Sequence, residues 1–121
     1  LGSIPLYGTS QIYPGRRADL TYFELNDVRF VGMPWLLQPD HAAVMVYPRP
    51  DYGADLDLQR LYALGIDAFR VAHELLGGRS AITLDGVTGG LELGPDRVFR
   101  RALPVAQFSN GTVAVVGEAR P

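Results

Sequence analysis

The sequence predicts an α/β layered fold, a mixed sheet with flanking helices. Three observations carry that prediction. Short apolar runs bounded by Gly, Pro and Asn read as strands. A long amphipathic segment, Leu58 to Leu75, reads as a helix. The dipeptide Asn110-Gly111 stands between two strand-like runs, a type I′ hairpin signal that closes the chain.

In chain order, Ile4 to Ser10 reads as a short buried strand, and Tyr13-Pro14-Gly15 as a turn. Asp19 to Leu25 has room for one or two helical turns before the turn at Asn26-Asp27. Val28 to Val31 is a second strand, closed by Gly32 and Pro34, and Trp35-Leu36-Leu37 is an apolar patch. Ala42 to Tyr47 is too short for periodicity to separate strand from helix. Pro48 to Asp55 is a loop by its prolines and glycine.

The helix follows. Leu58, Leu61, Leu64, Gly65, Ala68, Val71, Ala72 and Leu75 recur at three and four residues, so this stripe is expected to face the core. Asp55 or Asp57 caps its start, Arg70 pairs with Glu74 on the wet face, and Gly77-Gly78 ends it. Asp67 falls on the same wet side. Ile82 to Leu84 and Gly90 to Leu93 are strands around a turn at Asp85-Gly86. Val98 to Phe108 and Thr112 to Val116 form the hairpin, with Pro104 marking an edge or a bulge.

Composition narrows the function. The chain has 121 residues, suited to one domain with one core, and a net charge of -2 with no Cys. All eleven basic residues are Arg, which removes Schiff-base lysines and the phosphate-loop Lys. The acidic balance argues against nucleic-acid binding, and the missing Cys excludes thiolate chemistry, disulfides and Cys-based zinc sites. No stretch is long and apolar enough to span a membrane, and no signal peptide is seen at Leu1-Gly2-Ser3. The chain reads as a piece of a longer protein.

Several motifs fall short of chemistry. Gly8-Thr9-Ser10-Gln11-Ile12 approaches a nucleophile elbow but lacks its last Gly. The better reading puts Thr9, Ser10 and Tyr13 at a strand end facing a crevice, where ligands gather in open α/β sheets. Trp35 is expected to be at least partly buried and Tyr13 more exposed. His73-Glu74 lacks the second His of a zinc helix, and Asp51, Asp55 and Asp57 fail the calcium-loop pattern. The glycine clusters at Gly77 and Gly86 are turns. The sequon at Asn110 is explained by the hairpin, and Asp85 with Glu92 is no more than a chance carboxylate pair. No metal or cofactor is expected.

The literal residues carry a resemblance. The runs Pro5 to Tyr13, Leu25 to Phe30 with Met33 to Leu37, Arg60 to Phe69, Gly86 to Leu91, Arg101 to Leu103 and Phe108 to Gly111 occur in an order that resembles the C-terminal domain of the LppC/LpoA family of outer-membrane lipoproteins. The segments MPWLL and RLYALGIDA are the specific ones. A wider resemblance is to type 1 periplasmic-binding proteins. The family resemblance implies a non-catalytic regulatory domain that binds and activates a class A penicillin-binding protein in peptidoglycan synthesis. It implies a location on the periplasmic side of the outer membrane, with a lipid anchor outside this segment. It also implies that residues 1–121 are the second lobe and C-terminal end of a two-lobed domain. Such a fragment has the potential to form a homodimer. Two other readings remain open: a solute-sensing lobe for an amino acid or muropeptide, with Asp67 or Asp85 as the acid for an amine, and a hydrolase using Ser10 with a His.

Overall fold

The computed structural model describes residues 4–13 and 24–121. The expected turn at Pro14-Gly15 and nearly all of the segment from Asp19 lie outside them. Six strands form one mixed sheet: β1 (Tyr7–Gly8), β2 (Arg29–Val31), β3 (Ile82–Asp85), β4 (Gly90–Leu93), β5 (Phe99–Ser109) and β6 (Thr112–Ala119). Their order is β1-β2-β5-β4-β3, with β6 also on β5. Only β1–β2 is parallel among these ladders. Three helices that lie wholly within the described residues accompany the sheet: α1 (Pro34–Leu37), α2 (Ala42–Met45) and α3 (Leu56–Leu76).

The expected first strand is shortened to Tyr7–Gly8, because Ser10–Ile12 winds into a 3₁₀ turn. The MPWLL segment becomes helical because Pro34 sits in its first turn, where its missing N–H costs nothing. The ambiguous Ala42 segment is a helix as far as Met45.

β5 is the organising strand. It pairs β4 through Phe99–Ala102, β2 through Val105–Gln107 and β6 through Leu103–Ser109. Pro104 stands between the β4 and β2 ladders, and the β6 register shifts at Val105/Ala106. The bulge expected from Pro104 is therefore present, but the strand is central rather than at an edge. The Asn110-Gly111 turn has positive φ at both residues, 51° and 78°, as a type I′ turn requires.

The core lies between β2, β5 and the helices. Phe30, Trp35 and Phe108 are its largest fully buried apolar side chains, with Val28, Val44, Ala63, Val87 and Ala106 around them. Phe30 stacks between Phe108, at 5.0 Å, and Tyr13, at 5.6 Å. Tyr13 is thus a core residue, against the expectation that it would be exposed.

The largest departure from expectation is α3. Its buried residues are Gln59, Ala63 and Asp67, not the leucine stripe. Leu58, Leu61, Leu64 and Leu75 are all exposed. Its ends follow the sequence: Asp55 Oδ1 accepts from the Leu58 amide at 3.0 Å. At the C-terminus Gly78 has φ +85°, its amide donates to Leu75 O, and the Arg79 amide donates to Glu74 O, a Schellman closure.

Candidate functional site

Polar chemistry concentrates where α3 meets the ends of β3 and α1. Asp67 is only 1% exposed. Its Oδ1 accepts from the Val87 amide at 3.0 Å, and its Oδ2 from the Thr88 amide at 2.8 Å and the Thr88 hydroxyl at 2.6 Å. Arg70 Nη1 lies 3.7 Å from the same carboxylate and donates to the Asp85 carbonyl at 2.9 Å. The turn Gly86-Val87-Thr88-Gly89 is wrapped around this acid. A Cβ at Gly86 would sit 2.5 Å from Asp67 Oδ2 and 2.6 Å from the Gly89 carbonyl, so only glycine fits. Asp67 is therefore a buried anchor, not a wet-side residue and not an acid available to an amine. Arg70 is spent on this turn, and Glu74 pairs with Arg79 at 3.0 Å instead.

A second cluster ties α1 to α3. The Trp35 indole N–H donates to Gln59 Oε1 at 2.8 Å, and Gln59 Nε2 donates to the Pro50 carbonyl at 2.8 Å. Arg49 covers the Trp35 ring at 4.1 Å and donates to the Trp35 carbonyl. Tyr62 packs on Trp35 at 5.5 Å and donates to the Pro48 carbonyl at 3.1 Å. Sequence periodicity had no means of assigning a glutamine to the buried face. The signal available was the single Trp, whose N–H needs an acceptor when buried.

Beside these clusters is an open crevice of about 220 Å³. Its polar rim is Gln38, His41, Asp85 and Glu118. His41 Nε2 lies 2.9 and 3.0 Å from the two Asp85 oxygens. Among the described residues no cluster of three or more His, Cys, Asp or Glu is placed to hold a metal.

The strand-end candidates separate. Thr9 is exposed at the mouth of the 3₁₀ turn and makes no side-chain cap. Ser10 is half-buried, and its carbonyl accepts from Arg60 Nη2 at 3.2 Å. Tyr13 points into the core instead of joining them. No hydrogen bond joins a histidine to Ser10 among the described residues, and His41 is engaged by Asp85. The Ser–His hydrogen bond that a serine hydrolase needs is thus not formed at Ser10 among the described residues.

The comparisons with known proteins agree with this frame. The family model described as "LppC putative lipoprotein" matches residues 1–111. The penicillin-binding protein activator LpoA of Edwardsiella ictaluri is 31% identical over 115 residues, covering 93% of this chain and 17% of that protein. The LpoA activator of Yersinia pseudotuberculosis is 31% identical over 110 residues, covering 89% of this chain and 17% of that protein. The chain thus spans about a sixth of the length of these relatives. A solved Chromobacterium violaceum structure, described as a "putative branched-chain amino acid ABC transporter", is 50% identical with a TM-score of 0.73, covering 88% of this chain and 35% of that one. The LpoA C-domain of Haemophilus influenzae, described as a regulator of PBP1A, shares the fold at 22% identity and a TM-score of 0.72, covering 93% of this chain and 36% of that one. On the match over residues 1–111, the chain belongs to the LppC lipoprotein family.

Proposed function

We propose that residues 1–121 form part of a non-catalytic regulatory region that binds and activates a class A penicillin-binding protein in peptidoglycan synthesis. The polypeptide that carries them acts on the periplasmic side of the outer membrane, held by a lipid anchor outside this segment. The segment is the second lobe and C-terminal end of a two-lobed domain. The observation that carries this reading is the family match, with relatives named activators aligned over 93% of the chain. The geometry supports it: the buried polar groups Asp67, Gln59 and Thr88 are all engaged in holding turns and helices together. The test is capture of a class A penicillin-binding protein by the full polypeptide, together with the rate of glycan polymerisation. Binding with a several-fold rise in rate is expected; absence of both would reject the reading.

A second reading has a specific observation in its favour, the 50% identity to a chain described as a "putative branched-chain amino acid ABC transporter". In it, Thr9 and Ser10 line the mouth of a solute cleft, and Tyr13 supports them from the core. Thermal-shift screening of the full polypeptide against branched-chain amino acids and muropeptides tests it. A dose-dependent rise in melting temperature, lost in Ser10→Ala, is expected on this reading and not on the first.

A further inference from the structure

The sheet changes partners at Pro104, and the crevice of about 220 Å³ opens there. Along β5 the β4 ladder ends at Ala102 and the β2 ladder begins at Val105. Pro104 has no N–H to extend either ladder, and its carbonyl accepts from the Gly32 amide at 3.2 Å. The carboxyl end of β2 and the amino end of β4 are thus brought to adjacent stretches of β5. In open α/β sheets ligands bind outside the carboxyl ends of strands, where the connections part. The chain's own side chains leave the space open, because Gly90, Ala102 and Gly117 line it. A Cβ at Gly117 would meet nothing within 4 Å among the described residues.

The charge of the crevice is one-sided. Asp85 and Glu118 line it, and among the described residues no Arg does. His41 Nε2 faces both Asp85 oxygens at 2.9 and 3.0 Å, so that nitrogen donates and a single N–H is shared between them. The remaining lone pairs of Asp85, whose side chain is 62% exposed, stay open to a ligand. Arg120 donates to Glu118 Oε2 at 3.1 Å, while Oε1 accepts no hydrogen bond among the described residues. Gln38 adds an amide oxygen to the rim, and Pro34, Ala102 and Pro104 give apolar walls. An apolar slot with two carboxylates and no cation suits an aliphatic chain carrying an ammonium group at each end. It opposes a free amino acid, whose own carboxylate finds no guanidinium to pair with. We propose that this crevice is a binding site for a small aliphatic diamine, one ammonium on Asp85 and the other on Glu118. The proposal rests on neither reading of the function. It requires no penicillin-binding protein, and Thr9 and Ser10 do not line the crevice.

Calorimetric titration of the full polypeptide at low salt, with 1,4-diaminobutane as the probe, tests this. Saturable binding is expected, weakened by added salt. Asp85→Asn and Glu118→Gln should each weaken it roughly tenfold or more, the loss of one charged hydrogen bond. 1-Aminobutane, which engages one carboxylate, should bind more weakly by a similar factor, and butyrate and leucine should give no binding heat. Gly117→Leu should abolish binding by filling the crevice, and Thr9→Ala, outside it, should bind as wild type does. Both carboxylates are on the surface, so their variants report binding even where the leucine variant fails to fold. No saturable binding at millimolar diamine would overturn the proposal, as would binding that both carboxylate substitutions leave unchanged. Equal binding of 1-aminobutane, with only one carboxylate needed, would overturn the diamine assignment. Leucine binding as tightly as the diamine would overturn it too, by giving the crevice to an amino acid. None of these results bears on capture of a penicillin-binding protein, so the proposal and the activator reading fail separately.

Discussion

Asp67 is a carboxylate withdrawn almost wholly from water, and such burial costs several kcal/mol unless donors replace the lost hydration. Here two backbone amides, one hydroxyl and the flanking Arg70 replace it. Removing the acid strands those donors, so Asp67→Ala should destabilise the chain by about 3–5 kcal/mol. Asp67→Asn should cost less, because an amide oxygen still accepts while its NH₂ opposes the remaining donors. Urea denaturation measures both. Gly86→Ala should be as damaging as the alanine variant at Asp67, since its methyl meets the carboxylate and the Gly89 carbonyl together. In the turn between β4 and β5, Asp96 accepts from Arg100 at 2.7 and 3.2 Å and from the Val98 amide at 3.2 Å. The Arg100 guanidinium first, and the Val98 amide next, hold its pKa at about 2. A depressed carboxylate favours the fold above its unfolded pKa, and that contribution fades as pH falls from about 4 through 2. NMR titration should find Asp96 still ionised at pH 3, and Arg100→Gln should return its midpoint toward 3.8. The turn is solvent-exposed, so its effect on global stability is small.

At the scale of elements, the strands, α3 and the closing hairpin could be read in order from the sequence, while the short helices α1 and α2 could not. The closing hairpin is placed by Asn110-Gly111, and the end of α3 by Gly78, because both depend on local φ requirements. The face of α3 could not be read in the same way. Periodicity reports which positions are apolar, not which neighbour lies against them, and here the neighbour within the segment meets the polar side. Only the amide donors of the Gly86 turn explain why Asp67 faces inward, and no sequence window spans both. The solute-cleft candidates met the same obstacle. Thr9 and Ser10 do lie at a strand end, but Tyr13 is drawn into the stack with Phe30. The inverted helix gives a prediction of opposite sign to the residue-scale ones. In the isolated 121-residue chain, where no atom of the described residues lies within 4 Å of a Cβ at position 65, Gly65→Ala should stabilise α3 by about 1 kcal/mol. Thermal or urea melts of the short chain test this.

At the scale of the molecule, the literal residues of α3 and of the MPWLL segment carry the family resemblance, while neither sequence pattern nor burial marks a surface for the proposed activator role. Leu64 is 48% exposed on the outward side of α3 in this segment, so Leu64→Ala in the full polypeptide separates a stability role of that side from a partner contact. Glycan polymerisation by a class A penicillin-binding protein, titrated with wild type and variant, should give the same half-maximal concentration once scaled to the folded fraction. A variant that stays fully folded yet needs a tenfold higher concentration would place the partner on α3. The comparison separates the two roles because a stability defect changes the amount of competent activator, whereas a lost contact changes the affinity of each molecule.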